Sequence, residues 1–336
     1  MKNRRLTLAA RPETFIKTSD FKLEEIELPT LKEGEFLIKV LFLSVAPVMK
    51  FYMQDGAGIE KPMQLGDTMR GRGVGEVIES KHPDFQAGDI VQGKCGWQEY
   101  VICDGSPYYM MYKVQQRGLS YSTALGVLGM TGFTSYFGLY EVGELGSGDQ
   151  VLVSAATGGV GSNVGHLTKI KGAQAVGLAS TEEKCELLTS KLGYVGAINY
   201  TKENISERID HFFPEGIDVY FDNVGGEILD IALTKLRRYA RVVCCGRISQ
   251  YKDRHNSNYA LQNWHKIGAT RSKMEGFFIY DYEADFPKAE REMAAWIQSG
   301  QLTYQEDILE GLEQMPVALN RLFERKNVGK QLVRIS

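Results

Sequence analysis

The chain has 336 residues, 43% of them hydrophobic and 24% charged, an ordinary soluble composition spread over more chain than one core usually serves, so two domains are expected. The net charge is −3, with both signs mixed and no basic block, which gives no reason to expect a nucleic-acid partner. No stretch is apolar for long enough to span a bilayer, Arg11 breaks the apolar run after the basic start too early for a secretory signal core, and the five scattered cysteines fit a reducing cytoplasm rather than a disulfide framework.

Residues 1–125 read as a β-rich domain. Phe36–Val40 and Val74–Ile78 are rich in β-formers between Gly, Pro and Asp turns, and Asp84–Asp89 with Gly93–Val101 reads as a turn followed by another strand. From Ser122 the residues become small and apolar with helical character (TALGVLGMTGFTSYFGLYEVG), a candidate crossing into a second domain. From Gln150 strands alternate with helices. Val151–Ser154 precedes a helix at 160–171, Ala175–Leu178 one at 183–192, and Asp218–Phe221 one at 226–237. Strands at Arg241–Cys245 and Gly276–Tyr280 follow, then a helix at Asp285–Gln298 ended by Gly300. The alternation predicts an α/β fold with a doubly wound parallel sheet. The tail holds a helix, Met315–Phe323, and a closing strand, Gln331–Ile335, that returns to the first domain. The expected division is 1–125 with 300–336 against 126–299.

The chemistry centres on Gln150–Gly172. A buried apolar strand, Val151-Leu152-Val153, leads into Ala155-Ala156-Thr157-Gly158-Gly159-Val160-Gly161, and apolar residues at helical spacing (Val160, Val164, Leu167, Ile170) follow. Strand, glycine turn and helix start in that order make a pyrophosphate site. The glycines permit a tight turn and close backbone approach, and the helix N-terminus offers N–H groups and a positive dipole end. In NAD sites an acidic residue about 20 residues beyond the glycines holds the ribose hydroxyls. Here the second strand ends at Ala179-Ser180-Thr181, with Lys184 one turn on, and small polar residues plus a cation suit a ribose 2′-phosphate. NADP is therefore favoured, although Glu182 or Glu183 on a ribose would keep NAD open. Ser180 and Glu183 also read as a capping box, S-x-x-E.

A zinc alcohol dehydrogenase site needs Cys and His ligands at suitable spacing. The histidines (His82, His166, His211, His255, His265) and the cysteines contain no C-x-x-C and no His-Glu pair. Cys244 and Cys245, adjacent in a predicted strand and so pointing to its opposite faces, read with the others as core or barrel-facing thiols. There is no G-x-S-x-G elbow. The expectation is a metal-free site in which the cofactor carries the chemistry.

The segments AATGGVGSNVGHLTKIKG (155–172), GMTGFTSYFGL (129–139), STEEKCELL (180–188), AINYTKE (197–203), DVYFDNVGGEIL (218–229), CGRISQY (245–251) and ERKNVGKQLV (324–333) together resemble the zinc-independent medium-chain dehydrogenase/reductases. Within that family the chain is similar to the leukotriene dehydrogenase/prostaglandin reductase branch, which includes alkenal double-bond reductases and curcumin reductase. The resemblance implies a GroES-like β-rich barrel domain around an inserted Rossmann domain, NADPH as donor, and hydride delivery to the β-carbon of an α,β-unsaturated ketone or aldehyde through an enolate, without metal. It also implies a homodimer and a small-molecule enone or enal partner. Carried over residue by residue, it assigns the pyrophosphate to Gly158, Gly159, Val160 and Gly161, and the adenosine phosphate end to Lys184 and Tyr200, beside Ser180. Asn223 follows at the sheet edge. Cys245, Gly246, Arg247, Ile248, Ser249 and Tyr251 run past the nicotinamide side, and Phe277, Phe278, Ile279 and Asn327 match further cofactor contacts.

Two stretches depart from the family pattern. Where the family usually reads LSVDPYMRGRM, this chain has Leu43-Ser44-Val45-Ala46-Pro47-Val48-Met49-Lys50-Phe51-Tyr52-Met53, so an acid, a tyrosine and an arginine become Ala46, Val48 and Lys50. In the family this stretch borders the substrate cleft, which makes Val48 and Tyr52 the candidate substrate residues. Arg247 replaces a small residue beside the cofactor. Tyr251 is the candidate donor to the enolate oxygen, with water or Tyr251 itself protonating the α-carbon. An NADPH:quinone reductase and a non-catalytic NADPH-binding protein are the alternatives.

Overall fold

The computed structural model describes residues 1–13, 15–54, 61–115, 117–251 and 259–336, with Tyr251 described by its backbone alone. In chain order, β1 (Lys2–Leu8), β2 (Phe21–Glu27) and β3 (Phe36–Ser44) lead to a single helical turn, α1 (Met49–Tyr52). Then come β4 (Arg72–Ser80), β5 (Ile90–Lys94), β6 (Tyr100–Cys103) and β7 (Tyr112–Lys113). The middle of the chain runs α2 (Met130–Phe137), β8 (Gln150–Val153), α3 (Gly161–Ile170), β9 (Gln174–Ala179), α4 (Glu182–Lys191), β10 (Gly196–Asn199), α5 (Ile205–Phe212) and β11 (Ile217–Asp222). It continues through α6 (Gly226–Leu233), β12 (Leu236–Cys244), α7 (His265–Thr270), β13 (Lys273–Gly276) and α8 (Phe286–Gln298). β14 (Glu306–Glu310), α9 (Met315–Phe323) and β15 (Lys330–Arg334) close it.

Two compact units result, one of Met1–Gly126, Asp307–Asn327 and Gln331–Ser336, the other of Val127–Glu306 and Val328–Lys330. The first is built on a sheet of order β14-β15-β3-β4-β5-β7, with β6 also on β3, and on the separate pair β1-β2. The closing strand lies antiparallel to β3, Val333 opposite Leu43. Phe36, Ile38, Leu43, Met53 and Trp97 are fully buried in its core with Met315, Leu319 and Val333 of the tail. This is the β-rich, GroES-like half of the fold.

The second unit is a six-stranded sheet of order β10-β9-β8-β11-β12-β13, every pair parallel. Its central strands are buried runs, Val151-Leu152-Val153 and Val219-Tyr220-Phe221, as a sheet with both faces covered requires. The order is that of a doubly wound Rossmann sheet. The chain steps outward from β8 to β10 and then returns to place β11 on the other side of β8. The strand order therefore reverses between β8 and β11, and such folds bind ligands outside the carboxyl ends of the strands at that point.

Several sequence expectations shift. The strand expected at Gly93–Val101 is two strand ends, β5 and β6, separated by a loop in which Gly96 takes a φ of +69° and Trp97 is buried. The strand expected at Gly276–Tyr280 lies earlier, at β13, and Ile279–Asp285 is a 3-10 helix. The helix expected at 226–237 ends at Leu233, because β12 begins at Leu236. Cys244 ends β12, so Cys245 lies beyond the strand rather than on its opposite face.

Candidate functional site

The glycine turn leaves the carboxyl end of β8, and its carbonyls are tied into the protein one by one. Asn163 Nδ2 donates to Gly159 O at 3.0 Å, Ser135 Oγ to Val160 O at 2.9 Å, and the Tyr194 hydroxyl to Gly161 O at 2.6 Å. Among the described residues, no carbonyl or side chain accepts from the N–H of Gly159, Val160 or Gly161. Three successive N–H groups at the start of a ten-residue helix make an anion cradle, with the helix dipole adding to it. Gly161 is required by close packing. A Cβ there would meet Ala155 O at 2.5 Å and Ala156 Cα at 2.7 Å, both backbone atoms. These features fit the diphosphate of a dinucleotide.

The next two strand ends carry the residues expected at the adenosine end. Ser180 follows β9 and Tyr200 follows β10, where the Tyr200 N–H donates to Ala179 O at 3.1 Å and Thr201 Oγ1 to Ser180 O at 3.2 Å. Lys184 lies in the first turn of α4. Ser180, Lys184 and Tyr200 thus share one edge. The capping box does not form at Ser180. The N-cap is Thr181, whose Oγ1 accepts from the Lys184 N–H at 3.3 Å, because Ser180 is still held at the strand end. The neighbouring acids are engaged. Glu182 accepts from Asn199 Nδ2 at 3.0 Å and pairs with Lys202 at 3.2 Å. Glu183 is held below its ordinary pKa by its own backbone N–H and then by the Thr181 hydroxyl. That edge favours a phosphate over ribose hydroxyls.

Across the switch point, Asn223 follows β11. Its side chain is not a helix cap: Nδ2 donates to Ser154 O at 2.8 Å, its N–H donates to Ser154 Oγ at 2.8 Å, and the N-cap of α6 is Gly225. Beneath it lies a buried network that sequence reasoning missed. Asp222 Oδ1 accepts from Ser154 Oγ at 3.0 Å, the Tyr220 hydroxyl at 2.9 Å and the N–H groups of Val224 and Gly225, each at 3.0 Å. Burial raises the Asp222 carboxyl above its usual pKa, and these donors oppose that rise. The network fixes the carboxyl ends of β8 and β11 against each other. It also seats the next segment, because Cys245 and Gly246 both donate to Asp222 O at 2.9 Å and Ser249 Oγ donates to Val224 O at 2.6 Å.

Cys245, Gly246, Arg247, Ile248 and Ser249 therefore run alongside Asn223, with Arg247 and Ser249 exposed. Burial pushes the Cys245 thiol up to about 12, which makes it a packing group rather than a nucleophile. Tyr251 ends the 3-10 helix Ile248–Tyr251, and its side chain lies outside the described residues. Phe277, Phe278 and Ile279 follow β13, at the end of the same sheet; Phe277 packs over Gly138 and Phe278 is 40% exposed. Asn327 belongs to the first unit by its contacts and precedes Gly329, whose N–H donates to Thr157 O at 2.7 Å. In the first unit, Val48 caps α1 and Tyr52 ends it, four residues apart and so on one face, with the Arg70 guanidinium 5.9 Å from the Tyr52 ring centre. Among the described residues, no three His, Cys, Asp or Glu side chains gather as a metal cage, and no helix is long and apolar enough to cross a membrane.

Two family models match the chain: an N-terminal domain of oxidoreductase over residues 4–111 and a zinc-binding dehydrogenase model over 159–295. The NADPH-dependent curcumin reductase of Escherichia coli (strain K12) is 36% identical over 344 residues, covering 100% of this chain and 97% of the relative. The NADP(+)-dependent 2-alkenal reductase of Nicotiana tabacum is 38% identical over 326 residues, covering 95% and 94%. The crystal structure of CurA in complex with NADPH from Vibrio vulnificus superposes with a TM-score of 0.92 at 35% identity, covering 99% of each chain.

Proposed function

Because this chain belongs to the zinc-independent medium-chain dehydrogenase/reductases, we propose that it is an NADPH-dependent reductase of the C=C bond of α,β-unsaturated ketones and aldehydes. The observation that carries this reading is the glycine turn, whose three N–H groups have no acceptor among the described residues, set where the strand order reverses. Gly158, Gly159, Val160 and Gly161 hold the diphosphate, and Ser180, Lys184 and Tyr200 hold the 2′-phosphate end. Residues 245–251 run along the nicotinamide side, and Asn223, residues 277–279 and Asn327 are further cofactor contacts. When bound, NADPH supplies the hydride that adds to the β-carbon of the substrate.

The protein's task is to steady the negative charge that collects on the substrate's carbonyl oxygen. A positioned donor does this, and losing it costs about 3 kcal/mol, or roughly a hundredfold in rate. We assign that donor to the Tyr251 hydroxyl, at the end of the segment seated by Asp222, and assign the choice of substrate to Val48 and Tyr52. The reading extends to a homodimer in the cytoplasm, consistent with five free thiols. Light scattering tests the dimer.

The activity test is NADPH oxidation against a panel of enals and enones, with product analysis. Saturated ketones and aldehydes are expected, and Tyr251→Phe should slow turnover by roughly a hundredfold. Tight NADPH binding with no oxidation across the panel, or oxidation with quinones alone, would overturn the assignment. Unchanged turnover in the Phe variant would remove Tyr251 from the donor role.

A further inference from the structure

Beneath the glycine turn sits a buried cation with no part in the reading above. Lys330 is 5% exposed, an unusual place for an ammonium. The backbone around it is stitched to the turn. Gly329 pairs with Gly158 in a parallel bridge, the Gly329 N–H donates to Thr157 O at 2.7 Å, and the Lys330 N–H donates to Gln305 O at 2.8 Å. The side chain then runs against Gly159. A Cβ built on Gly159 would lie 3.2 Å from Lys330 Cδ, 3.5 Å from Lys330 Cα and 3.5 Å from Thr131 Cγ2. Thr131 Oγ1 is buried with no hydrogen-bond partner among the described residues. The aliphatic stem of Lys330 and the methyl of Thr131 thus meet under the glycine whose N–H belongs to the anion cradle.

The electrostatics of this spot are poised. Burial pushes the Lys330 ammonium down to about 7, and the Glu306 carboxylate at the start of β14 works against that fall. The turn and α2 bring Gly159 and Thr131 to the same place, and neither titrates.

We propose that Lys330 is a cofactor-binding residue, whose charge, carried on a stem packed beneath Gly159, adds to the diphosphate subsite, so that the dinucleotide and one proton are taken up together. This rests on the reading of the turn as a dinucleotide site. An arriving diphosphate is anionic and stabilises the charged lysine, which raises its pKa in the complex. Below about pH 7 the ammonium already exists in the free protein and binding is at its strongest. Above that, each bound dinucleotide must bring a proton with it, and affinity falls as pH rises, by up to about tenfold per pH unit for one linked proton. The 2′-phosphate of the cofactor titrates near pH 6, so the window from pH 7 to 9 isolates the lysine.

The test is calorimetric titration of the full chain with NADPH from pH 7 to 9, in two buffers of different ionisation enthalpy. The wild type should take up a proton on binding, approaching one per dinucleotide, and its Kd should rise with pH. Lys330→Met keeps most of the aliphatic stem and removes the charge. It should bind more weakly at pH 7, with a flat Kd and no proton uptake. Lys330→Arg stays charged throughout and should bind tightly with a flat Kd, and it decides the matter if the Met variant does not fold. A wild type that binds NADPH without proton uptake, or either variant with the wild-type uptake and slope, overturns the role of Lys330 while leaving the dinucleotide reading intact. A wild type that binds no NADPH at any pH overturns both.

Discussion

Replacing Gly161 by alanine tests whether the turn is held as tightly as its contacts indicate. The new Cβ would sit 2.5 Å from Ala155 O, 2.7 Å from Ala156 Cα and 2.9 Å from Ala156 O. None of these atoms can swing away. Ala156 is fully buried and its N–H is bonded to Leu178 O at 3.2 Å, while Ala155 O already accepts from Gly158 N at 2.9 Å. Alanine recovers at most about 1 kcal/mol of helix propensity, and less at the first helical position. Forcing a methyl into a packed site costs about 1–3 kcal/mol. The net expectation is a loss of about 1–2 kcal/mol, a drop of roughly 2–8 °C in melting temperature for a unit of this size. The turn must also shift, misplacing the Val160 and Gly161 N–H groups. Hydrogen bonds to a charged acceptor are worth about 1.5–3 kcal/mol, so NADPH affinity should fall roughly ten- to a hundredfold. Thermal melting of the free protein and fluorescence titration with NADPH measure the two effects. Gly159→Ala is the control, since its nearest neighbour is the Lys330 side chain at 3.2 Å, and it should melt closer to wild type. If Gly161→Ala melts within a degree of wild type and binds NADPH equally well, the packing argument is wrong.

Two further outcomes follow from the same edge of the sheet. Lys184→Ala should weaken NADPH roughly ten- to a hundredfold and leave NADH nearly unchanged, because only the former carries a 2′-phosphate; equal losses in fluorescence titrations of both would take Lys184 off that phosphate. Asp222→Asn should destabilise the protein by about 1–3 kcal/mol in chemical denaturation. Gly225 N lies 3.0 and 3.1 Å from the two carboxylate oxygens, so the new amide group meets a donor where an acceptor stood. Wild-type stability in that variant would mean the network does not hold the two strand ends.

The parallel sheet could be read from sequence because its strands are buried on both faces and so appear as short apolar runs between helical periods. The glycine turn could be read because its chemistry is local: seven consecutive residues carry the turn, the close approach and the helix start. Reading failed where a partner far along the chain decides. The Phe277-Phe278-Ile279-Tyr280 run has strand composition, yet pairing with β12 ends at Cys244 opposite Gly276, and without a partner the chain turns into a 3-10 helix. Ser180 and Thr181 cap equally well by type. The choice fell to Thr181 because Ser180 is occupied at the sheet edge by Thr201.

By itself, then, the sequence determined the fold class, the phosphate turn and, through small polar residues and a lysine after the second strand, the preference for NADP. Those features depend on residues near one another in the chain. Only the tertiary structure decided that Ser154 and Asp222, 68 residues apart, lock the strand ends on either side of the switch point. Only it could place Lys330, from the closing strand, under Gly159. Burial and charge at such points are set by what folding brings together, and no local spacing records them.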